Sequence, residues 1–227
     1  MSDTPQSSDY MSREARDRLT PQEVIDILTD GNRRFCEGCC TDRNFPRQVQ
    51  ATAPGQHPLA VVLGCIDSRV PIEHVFDLGI GEAFGVRVAG NVVGTKSLGS
   101  IEYGVAVAGV KLVVVLGHTR CGAVTSSIQL LGENQDVQSA TGCAHLPAIV
   151  SEVTENVGVA ECEQWISLEA NEQELFVDEV AQRNVKRAVS ELVQRSDAIR
   201  SAVENGQIQV VGAMYDVRTG KVKFLDS

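Results

Sequence analysis

Five residues carry the chemistry this sequence can do. Cys65, Asp67 and Arg69 stand at alternate positions in AVVLGCIDSR, residues 60–69, directly after an apolar run that ends in Gly64. The device recurs downstream, where Val113-Val114-Val115-Leu116-Gly117 delivers His118, and Cys121 comes three positions on. Two thiolates and an imidazole select zinc over magnesium or calcium, because sulfur and nitrogen donors suit a borderline-soft dication. Asp67 is a conditional fourth ligand: three protein ligands leave a position free for catalysis and four close the site. Arg69 can hold that carboxylate off a metal through a charge-assisted, bidentate pair, so Asp67–Arg69 reads as a gate. The blander readings are a satisfied core histidine among inert thiols, and a loop carboxylate capping nearby N–H groups. Two thiolates would cancel the dication's charge, so water at such a zinc is acidified less than at an all-histidine one.

Both ligand pairs need rigid supports. The two apolar runs are β-branched and bounded by turn residues, the pattern of strands buried on both faces and hence of a parallel sheet. In such a sheet, ligands bind beyond the carboxyl ends of the strands where the strand order reverses. The spacing predicts a loop at His118–Cys121 entering a helix over 121–131, whose first turn stabilises a thiolate. A short helix at Pro71–Phe76 and a strand over 83–88 should come after the first motif. A helix capped by Ser97 should run through Ile101, Val105 and Ala108 to the third strand. Gly79, Gly81 and Gly85 only faintly resemble a dinucleotide fingerprint; they precede a strand instead of following one.

Elsewhere, Thr20-Pro21-Gln22-Glu23 is a capping box opening a helix over about 20–37, with Val24, Ile25 and Leu28 as an apolar stripe. Residues 38–58 lack periodicity and read as a long loop. A helix is expected from about Leu146 to Val157, and the longest from Asn171 to Arg195, with Phe176, Val180, Val185, Ala188 and Leu192 on one face. A fourth strand over Ile208–Met214 and a turn at Thr219-Gly220 predict an antiparallel C-terminal edge strand. The expected fold class is α/β: a mainly parallel central sheet of about four strands plus that edge strand, helices on both faces and an N-terminal helical arm. Residues 1–19 read as a flexible arm segment, with 1–11 mobile, and residues 20–227 as a single domain.

The 227 residues are 43% hydrophobic and 22% charged, enough for one domain with a full core. A net charge of −10 with no basic stripe argues against nucleic acid and anionic membrane surfaces as partners. No apolar leader and no run long enough to span a bilayer is evident, and the odd count of seven cysteines matches no disulfide framework. The expectation is a soluble protein in a reducing cytoplasm. Cys36, Cys39 and Cys40 form a C-x-x-C-C cluster, but no strand precedes it as a redox motif would require, so they read as ordinary thiols.

With C-x-D-x-R ending one strand and H-x-x-C the other, the sequence resembles the β-class carbonic anhydrases. The likeness runs in order and spacing from about Gly31 to Leu131, including Gly79-x-Gly81-Glu82-Ala83-Phe84 and Ser100-Ile101-Glu102-Tyr103. It implies one zinc per chain on Cys65, His118 and Cys121, with hydroxide attacking carbon dioxide to give bicarbonate. It implies the Asp67–Arg69 dyad orienting that hydroxide. Gln56 matches a substrate-binding glutamine, and Phe84 and Tyr103 match aromatic positions lining the pocket. The resemblance further implies a homodimer or dimer of dimers, with N-terminal helices exchanged and pockets at the interface; the stripe on helix 20–37 agrees. Gly64 stands where plant-like members tend to carry alanine, and Val62 where bicarbonate-inhibited bacterial members tend to carry tryptophan. The site is expected to be open at alkaline pH and able to close by Asp67 ligation as pH falls, because hydroxide must compete with the carboxylate for one position.

Three alternatives share parts of this pattern. A hydrolase for carbon disulfide or carbonyl sulfide would use the same zinc, and the polar Gln56 and Tyr103 tilt the reading to carbon dioxide. A non-catalytic, closed-zinc bicarbonate sensor or scaffold would have no use for the Asp67–Arg69 gate. A redox protein built on Cys36, Cys39 and Cys40 is the third. For the proton released on turnover, His57 and His74 are the candidate carriers.

Overall fold

The computed structural model describes residues 10–226. Among them five strands form one sheet: β1 (Ala60–Gly64), β2 (Ala83–Arg87), β3 (Leu112–His118), β4 (Gln209–Tyr215) and β5 (Val222–Phe224). The order is β2-β1-β3-β4-β5; the first four are parallel and β5 pairs antiparallel with β4. The chain leaves β1 toward β2 on one side and returns to β3 on the other, so the strand order reverses between β1 and β3. That is the switch point at which a crevice opens beyond the carboxyl ends. Every residue of β1 and β3 is buried, as their unbroken apolar runs require.

Eleven helices surround the sheet among the described residues: α1 (Arg13–Arg18), α2 (Pro21–Glu37), α3 (Phe45–Thr52), α4 (Ile72–Val75), α5 (Thr95–Glu102), α6 (Gly122–Gly132), α7 (Val137–Thr141), α8 (Pro147–Thr154), α9 (Val159–Ile166), α10 (Ala170–Arg195) and α11 (Asp197–Glu204). One sheet face, with Ala60, Val62, Leu112, Val114 and Leu116, is covered by Val24 and Leu28 of α2 and by Ile72, Val75 and Phe76. The other, with Val61, Leu63, Val113 and Val115, packs on Ile101, on Val185, Ala188 and Leu192 of α10, and on Ile199 of α11. A third cluster joins Cys65 and Cys121 to Val124 and Ile128 of α6, Val153, Trp165, and Val177, Val180 and Ala181 of α10.

Several expectations need correction. The α2 stripe was expected to meet a second subunit, yet Val24 and Leu28 are fully buried on this chain's own sheet, with Ile25 packed beside them. Burying such side chains is worth about 1.5–3 kcal/mol each, so these residues dock α2 on its own sheet. The stretch 38–58 is not all loop: Asn44 accepts from the Arg47 amide at 3.0 Å and caps α3, whose Pro46 sits in the first turn. Ser97 is not a cap. The helix starts two residues earlier, and the buried Ser97 hydroxyl donates to the Gly94 carbonyl at 2.9 Å. After Glu102 the helix widens into a π-helical turn over Tyr103–Ala108, closed by the Arg16 guanidinium on the Ala108 carbonyl. Within the segment read as an arm, residues 13–18 form α1; residues 1–9 lie outside the described residues. The capping box is present as expected, with Glu23 N to Thr20 Oγ1 at 3.2 Å and Thr20 N to Glu23 Oε2 at 2.7 Å.

Candidate metal centre

The carboxyl ends of β1 and β3 set the ligands. β1 stops at Gly64, so Cys65 is the first residue past the sheet; β3 runs two residues further than its pairing with β1, to His118 opposite Tyr215. Gly117 is required just before it. A Cβ there would overlap the Val185 side chain and lie 2.8 Å from Met214 Sδ, so only glycine lets α10 lie this close over β3. Cys121 then stands at the residue preceding α6.

These elements bring the side-chain ligand atoms of Cys65, His118 and Cys121 within 4.8 Å of one another, all three residues buried. The His118 ring is fixed by its neighbour: Nδ1 lies 2.9 Å from the Thr119 carbonyl, which can only accept. Nδ1 therefore carries the proton and Nε2 a lone pair, the tautomer a metal ligand needs. Nε2 is fully buried and has no hydrogen-bond partner. An orphaned buried nitrogen aimed at two buried thiols is costly in a protein without a cation there. The thiols themselves are in conflict. The hydrogen bond from Cys121, with the amides of Asp67 and Gly90, outweighs burial and holds Cys65 well below the ordinary thiol range. Sharing that proton, with burial, pushes Cys121 far up. A dication would let both be thiolates, so the residues fit zinc.

Asp67 is not part of the converging set. Arg69 grips it bidentately, Nε to Oδ1 at 3.0 Å and Nη2 to Oδ2 at 2.7 Å, while the Arg69 amide donates to Oδ1 at 2.9 Å. Those bonds from Arg69 outweigh burial and hold the carboxyl down to about 2. Its Oδ2 remains 3.9 Å from His118 Nε2, beside the ligands without joining them. A cavity of about 280 Å³ opens here, lined by Cys65, Ile66, Asp67, Ala89, Gly122, Ala123, Ser126 and Ser127 together with Leu146, Ile149 and Val150.

Gln56, Phe84 and Tyr103 do not line this cavity. Phe84 is in register with Val61, four residues before Cys65, hence about 13 Å along the strand from that ligand. Its ring meets Tyr103 edge to face, with centroids 6.2 Å apart, and Tyr103 is 56% exposed. Gln56 is exposed beside Gly81. His74 is also exposed, on α4. The C-x-x-C-C thiols are free and exposed at the end of α2 and are not among the converging ligands.

Two supporting residues escaped the sequence reading. Arg87, in register with Gly64, donates from Nε to the Cys65 carbonyl at 2.9 Å and from Nη2 to the Asp67 carbonyl at 2.5 Å. A charged residue ending the strand beside the C-x-D-x-R edge was the available signal. Asn184, buried in α10, donates to the Gly90 carbonyl at 2.7 Å. Its position on the apolar face of the longest helix marked it out.

The family model described as carbonic anhydrase matches residues 60–222. Among curated proteins, carbonic anhydrase 2 of Mycobacterium tuberculosis is 37% identical over 208 residues, 91% of this chain and 93% of that protein. The Mycolicibacterium smegmatis carbonic anhydrase is 37% identical over 205 residues, 89% of this chain and 92% of that one. Among solved structures, the β-carbonic anhydrase CafA of Aspergillus fumigatus superposes with a TM-score of 0.66 at 27% identity, over 89% of this chain and 90% of that one. The Coccomyxa β-carbonic anhydrase, solved with acetazolamide, gives 0.62 at 25% identity over 88% and 86%. The shared sheet, the ligand pairs at its edge and a match that spans nearly the whole chain lead to one family: this chain is a β-class carbonic anhydrase family member.

Proposed function

We propose that this protein catalyses the reversible hydration of carbon dioxide to bicarbonate and a proton, with one zinc held by Cys65, His118 and Cys121. The observation that carries the reading is a three-membered buried ligand set whose neighbouring carboxylate is held aside. Zinc bound there would act as a Lewis acid, making water acidic enough to serve as a nucleophile near neutral pH. The chain's own residues do the rest. Asp67, ionised at any working pH, accepts a hydrogen bond from the attacking group and so orients a lone pair toward the substrate carbon. Arg69 keeps that carboxylate aimed and off the ligand position. The apolar wall of Leu146, Ile149 and Val150 suits an uncharged linear substrate and sheds the bicarbonate anion.

Gln56, Phe84 and Tyr103 serve as substrate-side groups for a second copy's site. The exposure of Tyr103 and the separation from Cys65 of Phe84, on which its ring packs, support this, and it makes the working form a homodimer or a dimer of dimers. His57 and His74 are candidate proton carriers to solvent. No helix among the described residues is long and apolar enough to cross a membrane. All seven cysteines are free, which favours a reducing cytoplasm. A closed, non-catalytic zinc site fits less well, because Asp67 is tied to Arg69. Carbon disulfide and carbonyl sulfide would use the same groups, and a direct rate comparison on the three substrates separates them.

Stopped-flow carbon dioxide hydration with metal analysis, on the wild type and on Asp67→Asn, tests the proposal. Hydration by the wild type and a fall of about 100-fold or more in the variant, with zinc retained, is expected. A zinc-loaded wild type that hydrates no carbon dioxide between pH 6.5 and 9 would refute it.

A further inference from the structure

The Asp67–Arg69 dyad does not stand alone. Arg69 Nη2, which donates to Asp67 Oδ2, also donates to the carbonyl of Arg120 at 3.1 Å. Arg120 lies in the turn between His118 and Cys121 with φ +55°, the left-handed region that a side chain with a Cβ seldom occupies. Something must hold it there. Its amide donates to Asp178 Oδ1 at 2.6 Å, and its guanidinium pairs with Glu174, which Arg218 holds in turn at 2.5 Å. Asp178 and Glu174 are one turn apart on α10, and the neighbouring Val177, Val180 and Ala181 are buried in the cluster that contains Cys65 and Cys121. The helix is therefore a fixed post at this point. The amide and the carbonyl of Arg120 flank one Cα, so with the amide gripped at this φ only ψ separates the Asp178 anchor from the carbonyl that meets Arg69.

We propose that Asp178 is a positioning residue for the carbon dioxide reaction: through the backbone of Arg120 it aims the carbonyl that steadies Arg69, and so fixes the Asp67 carboxylate beside the metal ligands. The inference rests on the carbonic anhydrase reading above. It assigns a role to a carboxylate of α10 that touches neither substrate nor metal. Without Asp178, the Arg120 peptide relaxes out of the left-handed region, its carbonyl turns from Arg69, and the guanidinium loses one of its two anchors. The dyad then samples geometries in which Asp67 no longer orients the nucleophile. Misplacement by about 1 Å is enough to cost up to 100-fold in rate.

The test uses the full-length, zinc-loaded protein and two substitutions. Asp178→Ala removes the acceptor, whereas Asp178→Asn keeps an oxygen that can accept from the Arg120 amide. The expected result for Asp178→Ala is a fall of about tenfold or more in both kcat and kcat/KM, with little change in KM and full zinc content. Asp178→Asn should stay within about threefold of wild type, since the acceptor survives. Amide hydrogen exchange followed by NMR gives a readout independent of activity: the Arg120 amide should be protected in the wild type and in Asp178→Asn, and exchange fast in Asp178→Ala. An active wild type beside an unaffected Asp178→Ala overturns the inference alone. So does an asparagine variant as impaired as the alanine, or a loss of rate that tracks a loss of zinc. A wild type that hydrates no carbon dioxide ends the carbonic anhydrase reading, and this inference with it.

Discussion

The Asp77 carboxylate is 2% exposed and lies at the junction of three segments that frame the first motif. It accepts from Arg34 Nε of α2 at 2.6 Å, from the Arg43 guanidinium, and from the Thr41 hydroxyl at 2.8 Å and amide at 3.1 Å. Burial alone would raise its pKa, but the two guanidiniums and Thr41 win and bring it down to about 2, from an ordinary 3.8. A carboxyl so displaced between folded and unfolded chains contributes about 2.5 kcal/mol to stability. The folded pKa lies below the unfolded one, so this contribution is complete above about pH 5 and is lost as pH falls through 3.8 toward 2. At pH 3 about 1 kcal/mol of it is gone. Asp77→Asn keeps the shape and tolerates the φ of +46° found here, but cannot ionise. Urea unfolding of both proteins at pH 6 and pH 3 isolates the effect, because every other carboxylate titrates in both. The variant should be less stable by about 2–3 kcal/mol at pH 6, with a deficit about 1 kcal/mol smaller at pH 3. A deficit that is equal at the two pH values would refute the assignment of Asp77 as an ionised hub.

The packing and the shared site give further expected outcomes. Gly117→Ala forces a Cβ into Val185 and Met214, and overpacking of this kind should cost about 3 kcal/mol, roughly 6–12 °C in Tm, with weakened zinc retention because His118 is next in the chain. Calorimetry with metal analysis checks it; an unchanged Tm would mean α10 yields without cost. Asp67→Asn and Tyr103→Ala should each be nearly inactive alone. If Tyr103 reaches the partner's site, subunit exchange between them should restore about a quarter of wild-type activity, one intact site in half of the dimers. No recovery in an exchanged mixture would return Tyr103 to a packing role beside Phe84.

Much of the site was legible in the sequence because its signals are local. A β-branched run ending in glycine makes a buried strand wherever it sits, and the residue after that glycine must emerge at the sheet edge; this holds for both Gly64-Cys65 and Gly117-His118. The α10 face and the antiparallel edge strand were readable for the same reason, since their periodicities survive without knowledge of neighbours. The missed helices had weaker signals. α3 hides behind Asn44 and Pro46, which also punctuate loops, and α11 succeeds α10 after a single break at Ser196, whose side chain accepts from the Ile199 amide at 3.2 Å.

Local pattern determined which residues stand at strand ends and which donor chemistry they offer. Only the tertiary structure decided that β1 and β3 are neighbours, so that Cys65 and the pair His118 and Cys121 share one crevice. Only it showed Asp67 turned to Arg69, the α2 stripe spent on its own sheet, and Tyr103 exposed beside Phe84 and outside the cavity at the ligands. The physical reason is the same in each case. Strand order and side-chain partners are chosen by burial and hydrogen bonding between residues far apart in sequence, and a periodic pattern says that a face must be covered without saying by what.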